Sequence, residues 1–130
     1  MRYLISSIAA FLAVCGQPAF ANEATQCFER AWAHPNDGGL GLTRGQATRL
    51  CNGATKAAEI TKCYGKAWGH PNDKGLGLTA GQAVDLCSAT TNANETTKCF
   101  VKAWGHPNNG GLGLTAGGAV DLCKSTRGTR

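Results

Sequence analysis

Apolar residues recur at helical spacing in three stretches of this chain. In the middle stretch Ile60, Cys63, Tyr64, Ala67 and Trp68 stand at i, i+3, i+4, i+7 and i+8, a spacing that places them on one face of an α-helix. The same stripe occurs 36 residues earlier and 36 residues later, as Ala24, Cys27, Phe28, Ala31 and Trp32, and as Thr96, Cys99, Phe100, Ala103 and Trp104. Each stretch is therefore predicted to form an amphipathic helix.

A second, shorter helix is predicted to follow each of these helices. Thr79 and Gln82 form a capping box, in which each side chain accepts a hydrogen bond from the backbone N–H of the other residue. The first copy repeats this box, and the third lacks the glutamine. The first helix should end near Gly69, because the residue before Pro71 is pushed out of the helical region. Each pair of helices is thus predicted to form an αα-hairpin.

The helix pairs divide the chain into three units of 36 residues, 23–58, 59–94 and 95–130. Units two and three are identical at 24 of 36 positions, and no linker separates the units. One unit is too short to bury its own apolar face. Residues 22–130 are therefore predicted to form a single all-α domain of three tandem disulfide-stapled αα-hairpin repeats, stacked as a short solenoid.

In period and helix pairing the units resemble the tetratricopeptide-like helical repeats, some of which are exported and disulfide-bonded. The cysteine spacing and the His-Pro-Asn loop of this chain do not belong to that pattern. The resemblance therefore implies a helical-hairpin fold and carries no function over.

Residues 1–21 read as a secretory signal peptide. An apolar run from Tyr3 to Val14 precedes Ala19-Phe20-Ala21, a small-residue cleavage signature that predicts processing after Ala21. The run is shorter than the roughly 20 residues of a membrane span, so no transmembrane segment is predicted. Cys15 suggests a lipid anchor as an alternative, although Val14 fills a position where such anchors need a small residue. The protein is predicted to be secreted or periplasmic.

The cysteine count supports export. The sequence has seven cysteines, and removal of the leader with Cys15 leaves six. An even number of cysteines in a small exported chain indicates disulfides. Six cysteines allow 15 connectivities, and in-unit pairing is favoured because it uses all six, whereas pairing Cys51 with Cys63 and Cys87 with Cys99 leaves two over. The favoured pairs, each 24 positions apart, are Cys27 with Cys51, Cys63 with Cys87 and Cys99 with Cys123.

The charge of the chain is mildly positive. The full sequence has a net charge of +5 from 13 basic and 8 acidic residues, and loss of Arg2 with the leader leaves 12 against 8, or +4. The basic residues are scattered and do not interleave with aromatic ones, so no nucleic-acid partner is predicted.

The loop between the two helices of each unit combines turn residues, glycines and leucines. In unit two, Gly75 and Gly77 are predicted to allow positive φ or a close backbone approach, and Leu76 and Leu78 to close the core. A short strand formed by the Leu-Gly-Leu segments of the three units is the alternative, which the glycine weakens.

One tryptophan, one histidine and one asparagine recur in each unit, and they are the candidate binding residues. An indole ring beside a short amide suits a sugar ring, although a tryptophan on an apolar stripe is more often a packed core residue. The candidates are Trp32, His34, Asn36, Trp68, His70, Asn72, Trp104, His106 and Asn108.

No metal, cofactor or catalytic residue is predicted. One imidazole per hairpin is too little for a metal site in a linear stack, so each histidine is expected to cap or brace a helix end. A calcium site at the turn would need a carboxylate, and Asn109 replaces it in unit three. Three near-copies also supply no single asymmetric pocket for a nucleophile and its base. The chain is therefore predicted not to be an enzyme.

The function expected from these features is a multivalent binding module for a protein or glycan partner. A first alternative is a structural subunit that assembles with copies of itself, because neither terminal unit has a distinct polar cap. A second alternative is a small secreted inhibitor or toxin-like factor, which only the small disulfide-bonded scaffold supports.

Overall fold

A computed structural model describes residues 19–124, and side chains from residue 23 onward. Within this range the chain forms six α-helices and no β-strand. The helices are α1 (Ala19–Trp32), α2 (Arg44–Cys51), α3 (Ala57–Trp68), α4 (Ala80–Cys87), α5 (Ala93–Trp104) and α6 (Ala116–Lys124). The prediction of an all-α chain is confirmed. The predicted leader lies outside the described residues, apart from residues 19–21 at the start of α1.

The helix ends lie where local chemistry predicted them. Thr43 and Thr79 form complete capping boxes with the glutamines three residues on. Thr115 still accepts a hydrogen bond from the Gly118 N–H at 3.1 Å, but the reciprocal glutamine is missing. Helix α3 ends at Trp68, the residue before the predicted boundary. A short 3-10 turn follows the first helix of each unit, at Pro35–Asp37, Pro71–Asp73 and Pro107–Asn109.

Each disulfide joins the two helices of one unit. The bonds are Cys27–Cys51, Cys63–Cys87 and Cys99–Cys123, with Cα–Cα distances of 5.6, 5.6 and 5.7 Å. These are the in-unit pairs that the sequence favoured. All of these cysteines except Cys99 are buried, so the bridges are part of the core.

The core runs between the helices of neighbouring units as well as within units. Helix α3 contacts both α1 and α5, and α4 contacts both α2 and α6. Ile60 and Leu86 are fully buried in this interior, together with alanines at equivalent places in α1, α3 and α5. None of the helices in the described range is long and apolar enough to cross a membrane.

Polar contacts fix the junction between each unit and the next. A carboxylate oxygen of Glu23 accepts a hydrogen bond from the Ala57 N–H at 2.6 Å, and Glu59 does the same for Ala93 at 3.0 Å. These acids satisfy an N–H at the start of the following unit's first helix, which has no partner inside the helix. The glutamate at the start of one unit thus sets the position of the next.

We expect the middle disulfide to contribute strongly to stability. Replacing Cys63 and Cys87 together by alanine should lower the free energy of unfolding by about 3.5 kcal/mol, because an open loop of this length gains conformational entropy when the chain unfolds. Urea unfolding of the exported protein measures the loss, and a non-reducing peptide map of the same sample checks the pairing. A peptide linking Cys51 to Cys63 would contradict the pairing described here.

Candidate functional site

The Gly-Leu-Gly-Leu segment of each loop runs back along the end of the first helix of its own unit. In unit two, the N–H groups of Leu76 and Leu78 donate to the carbonyls of Lys66 and Ala67, each at 2.9 Å. The last carbonyls of a helix have no partner inside the helix, so the loop satisfies them. Units one and three repeat these bonds. The alternative of strands pairing between units is therefore wrong, because these N–H groups donate to the helix.

Two glycines permit this path. A Cβ on Gly75 would lie 2.1 Å from the carbonyl carbon and oxygen of Gly69, so the two backbone segments cross in contact. Gly77 adopts a φ of 68° and packs against Pro71, a conformation that L side chains rarely adopt. Both roles predicted for the loop glycines are confirmed.

Each histidine caps the 3-10 turn that follows it. The Nδ1 atoms of His34, His70 and His106 accept hydrogen bonds from the backbone N–H two residues ahead, each at 3.1 Å. The imidazole therefore braces the loop, as expected, although the helix it caps is the 3-10 turn. No three potential metal-ligating side chains cluster within residues 19–124.

The tryptophans are half exposed, which corrects the expectation that they are packed core residues. The exposed fractions of Trp32, Trp68 and Trp104 are 49%, 58% and 56%. Each indole stacks on the aromatic ring four residues before it, with centroids 6.3 to 6.5 Å apart and planes within 18°. Each tryptophan is the last residue of its helix, where the loop turns back along the backbone and leaves the ring uncovered.

A groove separates the first helix of each unit from the loop. In unit two its volume is 1120 Å³, and Trp68, His70 and Lys66 line it together with Pro35 and Leu40 from the loop of unit one. The groove of unit three measures 1050 Å³, and its walls include Trp104, His106 and Lys66 of unit two. The structure thus brings the predicted tryptophan and histidine together in two units.

Unit one differs from the other two. Its groove measures only 550 Å³, and neither Trp32 nor His34 lines it. The Arg44 guanidinium lies 5.2 Å from the centre of the Trp32 ring, a cation–π contact that occupies the indole. Alanine stands at the equivalent positions of the other units, Ala80 and Ala116. Only the grooves of units two and three are therefore lined by both the tryptophan and the histidine of their unit.

The asparagines and the basic residues are placed differently from the sequence expectation. Asn36, Asn72 and Asn108 are exposed and give their backbone N–H to the histidine, but they do not line the grooves. A basic residue in the last turn of each first helix does line its groove: Arg30, Lys66 and Lys102. These cations were not among the candidate binding residues predicted from the sequence. The missed signal is a cation two residues before every tryptophan.

The backbone crossing yields a test with a matched control. Gly75→Ala should lower the free energy of unfolding by more than about 2 kcal/mol, because the new methyl group meets the Gly69 carbonyl. Gly81→Ala places a methyl group in open space on a helix and should leave stability unchanged or raise it by up to about 1 kcal/mol. Urea unfolding compares the two variants. Equal effects would contradict the close crossing.

Alkaline pH should destabilise the fold through Tyr64. Burial raises the pKa of Tyr64 above its ordinary value of 10.0. Above that pH the unfolded chain loses the phenolic proton while the folded chain keeps it, so stability falls as pH rises. Tyr64→Phe, which copies the residue of units one and three, should remove this part of the loss. Parallel stability curves for the two proteins between about pH 9 and pH 11 would contradict it.

No family model matches this chain, and no curated protein or solved structure does either. The function of the grooves is therefore inferred from their own chemistry. Each complete groove offers a half-exposed indole, an imidazole that caps the 3-10 turn of the loop, and a cation from the last helical turn.

Proposed function

We propose that the protein is an exported, non-enzymatic binding module whose three repeats stack as a short solenoid and present their grooves along one edge to a polymeric partner. The observation that carries this proposal is the recurrence of one groove, 36 residues apart, with a tryptophan, a histidine, a proline and a lysine at equivalent positions in units two and three. The successive contacts of α1 with α3 and of α3 with α5 support the stacking. The three disulfides support an oxidising compartment, periplasmic or extracellular.

The chemistry of the grooves favours a glycan that carries acidic groups. A half-exposed indole offers a flat apolar face to a sugar ring, and Trp68 and Trp104 each line a groove. Lys66 lies beside both grooves, and Lys98 and Lys102 add positive charge in unit three. Cations of this kind attract carboxylate or sulfate groups on a polymer. A protein segment with an aromatic or acidic side chain is the second class of partner that such a groove accepts.

The histidine of each complete groove is engaged in holding the loop, which supports binding over catalysis. Its Nδ1 atom accepts a hydrogen bond from a backbone N–H of the loop. This bond orients the loop, whereas general-base catalysis needs a proton acceptor directed at a substrate.

Two grooves in one rigid chain give multivalency. A polymer that occupies the groove of unit two holds its next segment at high effective concentration near the groove of unit three, so weak contacts combine into an avidity that exceeds each one by about 10²-fold. The partner is therefore expected to be repetitive, with short fragments binding far more weakly than long chains.

Tryptophan substitution tests this function. Trp68→Ala and Trp104→Ala should each weaken binding to the preferred ligand by at least about tenfold, because an aromatic anchor in a groove is typically a hot spot. Trp32→Ala is the matched control and should change binding little, since Trp32 does not line a groove. Acidic and neutral polysaccharides of several lengths form the panel, with calorimetry as the readout and circular dichroism as the check of folding.

The outcomes of this experiment separate the classes of partner. Binding that depends on Trp68 and Trp104 and strengthens with glycan length supports the proposal. Binding only to peptides or proteins, with the same tryptophan dependence, would reassign the grooves to a protein partner. Equal loss in all three variants, or none in any, would remove the grooves from the function.

A further inference from the structure

The end of the chain formed by unit three exposes residues that the other units bury. Leu50 and Leu86 are fully buried, whereas the equivalent Leu122 is 44% exposed. Leu42 and Leu78 are likewise buried, and their equivalent Leu114 is 37% exposed. In units one and two these leucines are covered by the following unit. We call Leu114, Leu122 and their neighbour Asp121 the C-terminal face.

The opposite end has a complementary apolar hollow. Phe28 and Ala24 are only partly buried and Thr48 is exposed, whereas the equivalent residues of units two and three are buried. These three side chains and Asn52 line a hollow of 300 Å³. We call this surface the N-terminal face, and it corresponds to the side of units two and three that receives the preceding unit.

Opposite charges stand at matching positions of the two faces. At the first internal junction Arg49 of α2 forms an ion pair with Asp85 of α4, 36 positions further on. When a second copy docks with the same offset that separates neighbouring units, Asp121 of the first copy lies against Arg49 of the second. Asp121 also pairs with Lys124 of its own helix at 2.9 Å, so Arg49 would add a second cation beside this carboxylate, and the opposite signs favour one register of docking.

We propose that the C-terminal face of one copy binds the N-terminal face of another, so that copies join head to tail with the geometry of the internal junctions. The last six residues of unit three, Ser125-Thr-Arg-Gly-Thr-Arg130, contain no apolar side chain that could pack on Leu114 and Leu122. A head-to-tail contact leaves a free face at each end and forms open chains of copies unless its rotation closes a ring.

Such a contact also completes the groove of unit one. The groove of unit two takes Pro35 and Leu40 from the preceding loop, and the groove of unit one has no preceding unit within the described chain. In a head-to-tail pair, the copy that presents its C-terminal face supplies Pro107 and Leu112 at the positions equivalent to Pro35 and Leu40. Leu112 is 53% exposed in the single chain. This step rests on the proposed binding function, while the contact between the faces does not.

The oligomeric state of the exported protein tests the contact without any ligand. Sedimentation velocity over about 5 to 500 µM should show a sedimentation coefficient that rises with concentration, as expected for reversible association. Leu122→Arg should abolish the rise, because it places a charged side chain in the apolar centre of the contact. Asp121→Arg should weaken it several-fold, because it places a cation opposite Arg49. Thr48→Val, which copies the valine of units two and three, should lower the protein concentration at which half of the chains associate several-fold.

Thr91→Arg is the matched control. Thr91 is exposed in the loop between α4 and α5. It belongs to neither face and lines neither of the two complete grooves, so this variant should associate like the parent protein. A parent protein that stays monomeric throughout the range would overturn the proposal. Equal effects of Leu122→Arg and Thr91→Arg would also overturn it, as would association that appears only after residues 125–130 are removed. Circular dichroism confirms that each variant is folded.

Discussion

The backbone crossing between Gly69 and Gly75, repeated in the other units, is the constraint on which the shape of the grooves depends. The loop can donate its N–H groups to the last helical carbonyls only if it passes within contact of the helix end, and a Cβ on Gly75 would meet a carbonyl at 2.1 Å. The crossing fixes the direction in which the loop leaves the helix. It thereby fixes the position of the 3-10 turn, of the histidine that caps it, and of the groove between loop and helix.

The same crossing accounts for the exposure of the tryptophans. Because the loop returns along the helix end through its backbone, its leucines reach the interior while the indole remains outside, resting on the aromatic ring four residues before it. A ring supported on one side and open on the other suits a ligand better than a core position would. The proposed function therefore follows from how the loop satisfies helix carbonyls.

Local chemistry in the sequence was enough to predict the helices and their ends. The stripe ending at Trp68 predicted the first helix, and the Thr79 box predicted the start of the second. In-unit pairing was favoured because it uses all six cysteines, and the structure contains the pair Cys63–Cys87. Each of these features depends on residues close in sequence or on counting. The exposure of Trp68 was not predictable in this way, because periodicity assigns a residue to a face without saying where the covering helix ends.

The grooves depend on long-range geometry and lay beyond the sequence pattern. Lys66 was not among the predicted binding residues, and only the path of the loop turns its position into a groove wall shared by units two and three. The contribution of Leu40 to the groove of the next unit likewise requires knowing how units are offset. A residue's role in such a surface is set by the neighbouring unit, which its own periodicity does not describe.

The differences between near-identical units show where the two ends of the chain depart from its interior. Thr48 stands where the later units have buried valines, and Asn52 lines the same hollow. Both make the N-terminal face more polar than an internal junction, which weakens the proposed contact between copies without removing its apolar centre. Internal junctions are strengthened by the covalent chain, which holds each unit at high effective concentration beside the next. A contact between separate copies lacks that advantage, so it responds to protein concentration and the folded single chain does not depend on it.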